Sequence, residues 1–207
     1  MTDADSHDDS HDDSHRAQMK KIQAAHRARV AEAGDPGRGL VLVHTGNGKG
    51  KSSSAFGVIV RALGWGQSVA VVQFIKGTWI TGEKQFFDRL GGVTWATMGE
   101  GFTWDTQDRA RDIAAAEAAF AKAREFMESG DYDLVVLDEI NIALRYDYLD
   151  VAAVLEGLTA RHQRTGVILT GRDAKPELMD YADLVTEMTE IKHPYAAGIK
   201  AQRGVDF

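Results

Sequence analysis

The feature that most constrains what this chain can become is LVLVHTGNGKGKSSSAFG at residues 40–57, where a short apolar run passes through a glycine-rich loop into a helical pattern. A strand, such a loop and a helix in that order make a cradle for phosphate. Gly46, Gly48 and Gly50 permit backbone conformations closed to other residues and let N–H groups approach an anion, while the following helix points its positive end at the same place. Lys51 adds a point charge for the phosphates, and the Ser52 hydroxyl is suited to ligate Mg2+. The stretch is a variant of G-x-x-x-x-G-K-[ST]: Thr45 stands at the first glycine position, and the loop reads Gly46-Asn47-Gly48-Lys49-Gly50-Lys51-Ser52. A glycine-rich surface turn is the plainer alternative, and the order of strand, loop and helix argues against it.

A cradle needs a sheet and a core behind it, and the composition allows one. With 207 residues and 43% hydrophobic content, the chain has material for a single substantial core and a tail. No window approaches the run of about 18 apolar residues that a membrane span requires, and the N-terminus is too acidic and polar for a secretory signal. The expectation is a cytoplasmic protein without membrane contact. The absence of cysteine excludes disulfides, thiolate metal sites and cysteine nucleophiles. A formal net charge of −7 argues against extended nucleic-acid binding.

Residues 1–15 repeat Ser-His-Asp-Asp with almost nothing apolar, a composition expected to be disordered. His7, His11 and His15 recur every fourth residue with Asp8 and Asp12 nearby, which suits either a weak divalent-metal site or a solvated acidic tail. Residues 16–33 turn to strong helix formers with sparse apolar positions at Met19, Ile22, Ala25 and Val30, too few for a core helix. The breaker cluster Gly34-Asp35-Pro36-Gly37 then ends what reads as a helical arm with its linker, 16–37.

The body, 38–207, alternates strand and helix signals. Strands are expected at 40–43, 68–75, 91–96, 134–137, 166–170 and 184–188, and helices at 53–63, 106–129, 151–165 and 176–181. The fold class is therefore α/β, a P-loop nucleotide-binding fold with a mostly parallel central sheet flanked by helices. The run LVVLDE delivers Asp138 and Glu139 at the carboxyl end of a strand, the edge where ligands sit in open α/β sheets. A carboxylate there can hold Mg2+ opposite Ser52 and offset repulsion among phosphate oxygens. Two further segments, QFIKGTW at 73–79 and MGEGFTW at 98–104, exceed what a nucleotide hydrolase needs.

On these residues the chain resembles the corrinoid adenosyltransferases of the ATP:cob(I)alamin type, a family that includes the cob(I)yrinic acid a,c-diamide adenosyltransferases. The resemblance covers 16–207 and rests on TGNGKGKSSSAFG, VVQFIKGTW, GEGFTWDTQD, VVLDEIN followed by RYDYL, ILTGRDA, and IKHPYAAGIKAQRGVDF. Ser52 stands where threonine is more usual, which keeps the hydroxyl, and Glu100 stands where a small or hydroxyl residue is expected.

What the resemblance implies is a specific reaction: Co(I) of a reduced corrinoid attacks the 5′ carbon of ATP, a cobalt–carbon bond forms, and triphosphate leaves. Adenosylcobalamin biosynthesis or salvage would be its setting. It implies that Gly46, Asn47, Gly48, Lys49, Gly50, Lys51 and Ser52 bind ATP, with Arg61 a candidate for the nucleoside. Lys51, Ser52 and Glu139 would carry catalysis, Ser52 and Glu139 holding Mg2+ (or Mn2+), while Phe102 and Trp104 line the lower face of the corrin ring. It further implies a homodimer in which the arm covers the partner's corrinoid site, and a flavoprotein reductase that supplies electrons. The alternatives are a P-loop hydrolase or kinase using Asp138 or Glu139 on water or a hydroxyl, and a non-catalytic nucleotide-binding protein.

Overall fold

We describe residues 6–74, 81–97 and 108–206 of a computed structural model, with side chains from Asp12 onward. The chain divides into two compact units, Met1–Pro36 and Gly37–Phe207.

The first unit is one helix, α1 (Ser6–Glu32), which begins ten residues before the boundary drawn at 16 and so runs through most of the acidic tail. Charge placement favours this: acidic residues near a helix N-terminus complement its dipole, and Arg16 reaches back one turn to Asp12 at 2.7 Å. Met19, Ile22 and Val30 are exposed, in keeping with the sparse apolar pattern.

The second unit is built on six parallel strands, β1 (Val41–Thr45), β2 (Val69–Gln73), β3 (Val93–Thr97), β4 (Leu134–Asp138), β5 (Gly166–Thr170) and β6 (Leu184–Glu187), in the order β3-β2-β4-β5-β1-β6. Every pairing is parallel. Alternate residues of the central strands feed two cores. Val41, Val43, Ala70, Val72, Val135, Leu137, Val167 and Leu169 face one, while Val69, Val71, Leu134, Val136 and Ile168 face the other. Both faces being buried explains the continuous apolar runs that marked these strands in the sequence.

Against the second face lie α2 (Lys51–Gly64), through Ala55, Phe56, Ile59 and Ala62 at helical spacing, and α3 (Gly82–Leu90), through Phe87. The first face is covered by α4 (Arg109–Ser129), α5 (Ile140–Arg145), α6 (Val151–Ala160) and α7 (Pro176–Tyr181). In α4 the fully buried Ala116, Ala119 and Ala123 let the helix sit close to the sheet, and Phe120 comes so near α6 that a Cβ on Gly157 would lie 2.9 Å from its ring. The Asp108 carboxylate caps α4 by accepting from Arg111 N at 3.1 Å. Helix α6 stops at Ala160, five residues short of its expected end, because Arg161 turns extended and its guanidinium donates to the carbonyls of Leu158, Thr165 (3.2 Å) and Gly39 (3.0 Å). Among the described residues no helix is long and apolar enough to cross a membrane.

Candidate functional site

The carboxyl ends of β1, β4 and β5 are neighbours in the sheet, and they deliver three segments to one edge: the loop 46–50, the pair Asp138-Glu139, and the turn 171–174. Thr45, buried at the end of β1, accepts from Ala174 N at 3.0 Å and so ties the first segment to the third.

Gly46 (φ +94°) and Gly50 (φ +111°) occupy the left-handed region that demands glycine. Packing adds a second reason for the first two loop glycines. A Cβ on Gly46 would meet Met188 O at 2.4 Å, one on Gly48 would meet the same oxygen at 2.8 Å, and Gly48 N donates to it at 2.7 Å. The backbone leaving β6 therefore rests directly on the loop, a close approach that the sequence reading did not include.

Helix α2 starts at Lys51 with Gly50 as its cap, without a side-chain cap bond and without an acidic residue in its first turn. Its leading N–H groups and positive end are thus offered to an anion. Lys51 is buried, 7% exposed, and its Nζ donates to Gly48 O at 2.6 Å. Burial lowers its pKa, while Glu139 nearby acts in the opposite sense. His44, buried on β1 with Nδ1 3.3 Å from Lys51 O, also has its pKa lowered by burial.

Asp138 is buried at the end of β4, where its carboxylate accepts from Thr170 Oγ1 at 2.9 Å, from Gln73 Nε2 at 3.2 Å and from Ser52. Burial pushes this carboxyl up, and those hydrogen bonds oppose the push. Gln73 is aligned by strand register opposite Asp138, and its own oxygen accepts from Trp95 Nε1 at 3.2 Å. Glu139 follows in a left-handed conformation, φ 64°, with its N–H donated to Thr170 Oγ1 at 2.9 Å. Burial, then the Asp138 charge, raise its pKa to about 7 against the pull of Lys51 and Arg172. Its Oε2 is buried without a hydrogen-bond partner. A buried acceptor left unsatisfied beside a hydroxyl, a second carboxylate and a phosphate-binding loop is chemically a place for a cation. No group of three or more His, Asp or Glu suited to a metal occurs among the described residues, so such a cation needs further ligands from a substrate.

The structure thus brings Lys51, Ser52, Asp138 and Glu139 together. Asn47 and Lys49 are exposed on the loop, and Lys49 forms an ion pair with Asp206 near the C-terminus. Arg61 is not brought to the loop: it is exposed in the last turn of α2, about 15 Å along the axis from Lys51 at 1.5 Å per residue. Phe102 and Trp104, with Glu100 and most of QFIKGTW, lie outside the described residues, as do the side chains of His7 and His11. Beside the loop, a cleft of about 430 Å³ runs between α2 and α3, lined by Ser53, Phe56, Val60, Phe86, Phe87 and Val205 among others. Gln73, Thr170 and Asp206 stand in the motifs quoted above but carried no expected role in the site; each is joined to it by strand register or by a long-range contact that no local spacing reveals.

Residues 37–207 match the family model described as ATP:corrinoid adenosyltransferase BtuR/CobO/CobP. A corrinoid adenosyltransferase of Pseudomonas aeruginosa is 53% identical over 93% of this chain and 95% of its own length. One from Escherichia coli K12 is 42% identical over 92% of this chain and 96% of its own. The corrinoid adenosyltransferase CobA of Salmonella typhimurium is 43% identical over the same shares, 92% and 96%.

Proposed function

The chain belongs to the ATP:corrinoid adenosyltransferase family, which transfers the adenosyl group of ATP to a reduced corrinoid in cobalamin biosynthesis, and from that premise we propose how its own residues serve the reaction. The carrying observation is the unpartnered Glu139 Oε2, buried and within electrostatic reach of Asp138 and of Lys51 at the start of α2. In this reading residues 46–52 bind the triphosphate of ATP through the open N-terminus of α2 and the charges of Lys49 and Lys51. Ser52 and Glu139 hold Mg2+ or Mn2+, with Asp138 fixing the Ser52 hydroxyl by hydrogen bond. When bound, the cation draws charge from the phosphate oxygens; Mg2+ is ordinarily held by one or two carboxylates together with substrate phosphates, which fits a site with so few protein ligands.

In the step itself, the electron pair of Co(I) forms the cobalt–carbon bond at C5′, and the C5′–O bond breaks with its pair leaving on triphosphate. No side chain acts as nucleophile. The protein's work is to stabilise the charge of the leaving group, hold C5′ in line with cobalt and exclude water. Because Lys51 is buried and already oriented by Gly48 O, little reorganisation is needed when the leaving group gains charge.

The chain's further assignments rest on resemblance. Phe102 and Trp104 pack under the corrin ring and displace its lower ligand, which makes Co(I) accessible to a mild reductant. A flavoprotein supplies the electrons, the active species is a cytoplasmic homodimer, and the arm at 16–33 takes part in corrinoid binding. The aromatic pair is tested by Phe102→Ala/Trp104→Ala: activity should fall with a flavin reductant and persist when Co(I) is prepared chemically, whereas equal loss in both assays would contradict the assignment.

The site as a whole is tested by Lys51→Ala, Ser52→Ala and Glu139→Gln, assayed with chemically reduced corrinoid. Each should lower kcat by about 10²-fold or more, the usual cost of removing an electrostatic stabiliser. Glu139→Gln should be partly rescued by excess Mg2+. Near-normal transfer in all three would remove the cradle from the mechanism.

A further inference from the structure

The block IKHPYAAGIKAQRGVDF at 191–207 is part of what makes this sequence recognisable, yet nothing above gives it a task. It follows β6, the edge strand beside β1, and two contacts run from this end of the chain to two consecutive residues of the phosphate loop. The first is to backbone: Met188 O accepts from Gly48 N at 2.7 Å, in a space that a side chain at position 48 would fill. The second is to a side chain: the Asp206 carboxylate accepts from Lys49 Nζ through Oδ1.

The carboxylate that meets Lys49 is itself held. Its other oxygen accepts from Gln202 N at 2.8 Å, while Asp206 N and Val205 N both donate to Gln202 O, at 2.8 and 3.1 Å. Gly204 in the left-handed region (φ +82°) closes this turn. The neighbouring Gly204 and Val205 lie at the rim of the cleft that Phe56, Phe86 and Phe87 line, with Val205 itself exposed. The Asp206 side chain is only 10% exposed, against 52% for Lys49. Its carboxyl lies below the usual range, first through the bond from Lys49 and then through the Gln202 N–H, so it is ionised at neutral pH.

We propose that Asp206 is a positioning residue for adenosyl transfer: the C-terminal turn braces the loop and holds the Lys49 ammonium at its mouth, where the triphosphate of ATP binds. A lysine ammonium has three donors. One is used by Asp206, and two remain for phosphate oxygens. Lysine is a flexible stem with a compact charge, and a fixed carboxylate partner restricts its rotamers before the substrate arrives, so less ordering opposes binding. The proposal rests on the reading that residues 46–52 hold the triphosphate.

The test uses the full chain with chemically prepared Co(I) corrinoid, and compares Asp206→Asn, Asp206→Glu, Lys49→Met and the Asp206→Asn/Lys49→Met pair. Readouts are KM for ATP, kcat, inhibition by inorganic triphosphate, and thermal stability. Asp206→Asn keeps the shape and removes the charge. It should raise KM for ATP and the triphosphate inhibition constant by about three- to tenfold, the range of an ordinary net hydrogen bond, because Lys49 is half exposed and its pairing is screened by water. Asp206→Glu should show a smaller rise in the same direction, and it serves as the deciding variant if Asp206→Asn does not fold. In the Lys49→Met background the change at 206 should have no further effect. Unchanged constants in the 206 variants, tighter triphosphate binding in them, or an undiminished effect without Lys49 would each overturn the brace. Lys51→Ala separates the two readings: normal triphosphate inhibition there removes the cradle, whereas lost inhibition there with unaltered Asp206 variants removes only the brace.

Discussion

Glu139 adopts a backbone conformation that costs a non-glycine residue about 1–3 kcal/mol, and it does so because β4 must pass directly into α5 while its N–H reaches Thr170. The strain turns a carboxylate inward, where burial raises its pKa to about 7. For a carboxyl whose folded pKa lies above its unfolded value of 4.5, the native state binds the extra proton. Its stabilising contribution is complete below the unfolded pKa and is lost as pH rises through about 7. Glu139→Gln cannot ionise, so without nucleotide or Mg2+ the thermal stability of that variant should gain on the parent protein as pH goes from about 5 to about 8. A constant difference across that range would mean that Glu139 does not titrate there. At this scale the sequence was informative wherever chemistry is local. Lys51 and Ser52 follow a loop of recognisable spacing, and Asp138 and Glu139 close an apolar run. It was silent on Met188 and Asp206, whose contacts with Gly48 and Lys49 join residues that the chain itself keeps far apart.

The inner strands β1, β2, β4 and β5 carried the strongest signal among the elements, because burial on both faces leaves them uninterrupted apolar runs; β5 and α7 have the expected bounds. The helices α3 and α5 were not anticipated. Helix α3 buries only Phe87 in nine residues, and α5 is six residues long, too short for its period to stand out from the apolar run before it. Helix α1 differs for another reason: its weak apolar pattern signals the absence of a core, which is not the absence of a helix, and its charges favour helix on their own. The arm's proposed part in corrinoid binding makes an element-scale prediction. Deleting residues 1–33 should raise KM for the corrinoid and leave ATP binding almost unchanged, and unaltered kinetics would reduce the arm to a solubilising appendage.

For the molecule as a whole, parallel topology places the loop after β1 and the carboxylates after β4 at one edge, with β5 between them supplying Thr170. That edge would serve phosphoryl transfer equally well, since a cradle, a cation site and a carboxylate are shared by both chemistries. The family separates them, and it does so through where ATP is cut. Cleavage at C5′ leaves three phosphates joined; cleavage at the terminal phosphate does not. The most direct measurement is therefore product analysis by 31P NMR and corrinoid absorbance, after incubating the full chain with ATP, Mg2+ and chemically reduced corrinoid. The account predicts intact triphosphate and adenosylated corrinoid in equal amounts, with no ADP. ADP and inorganic phosphate, without a cobalt–carbon bond, would contradict it.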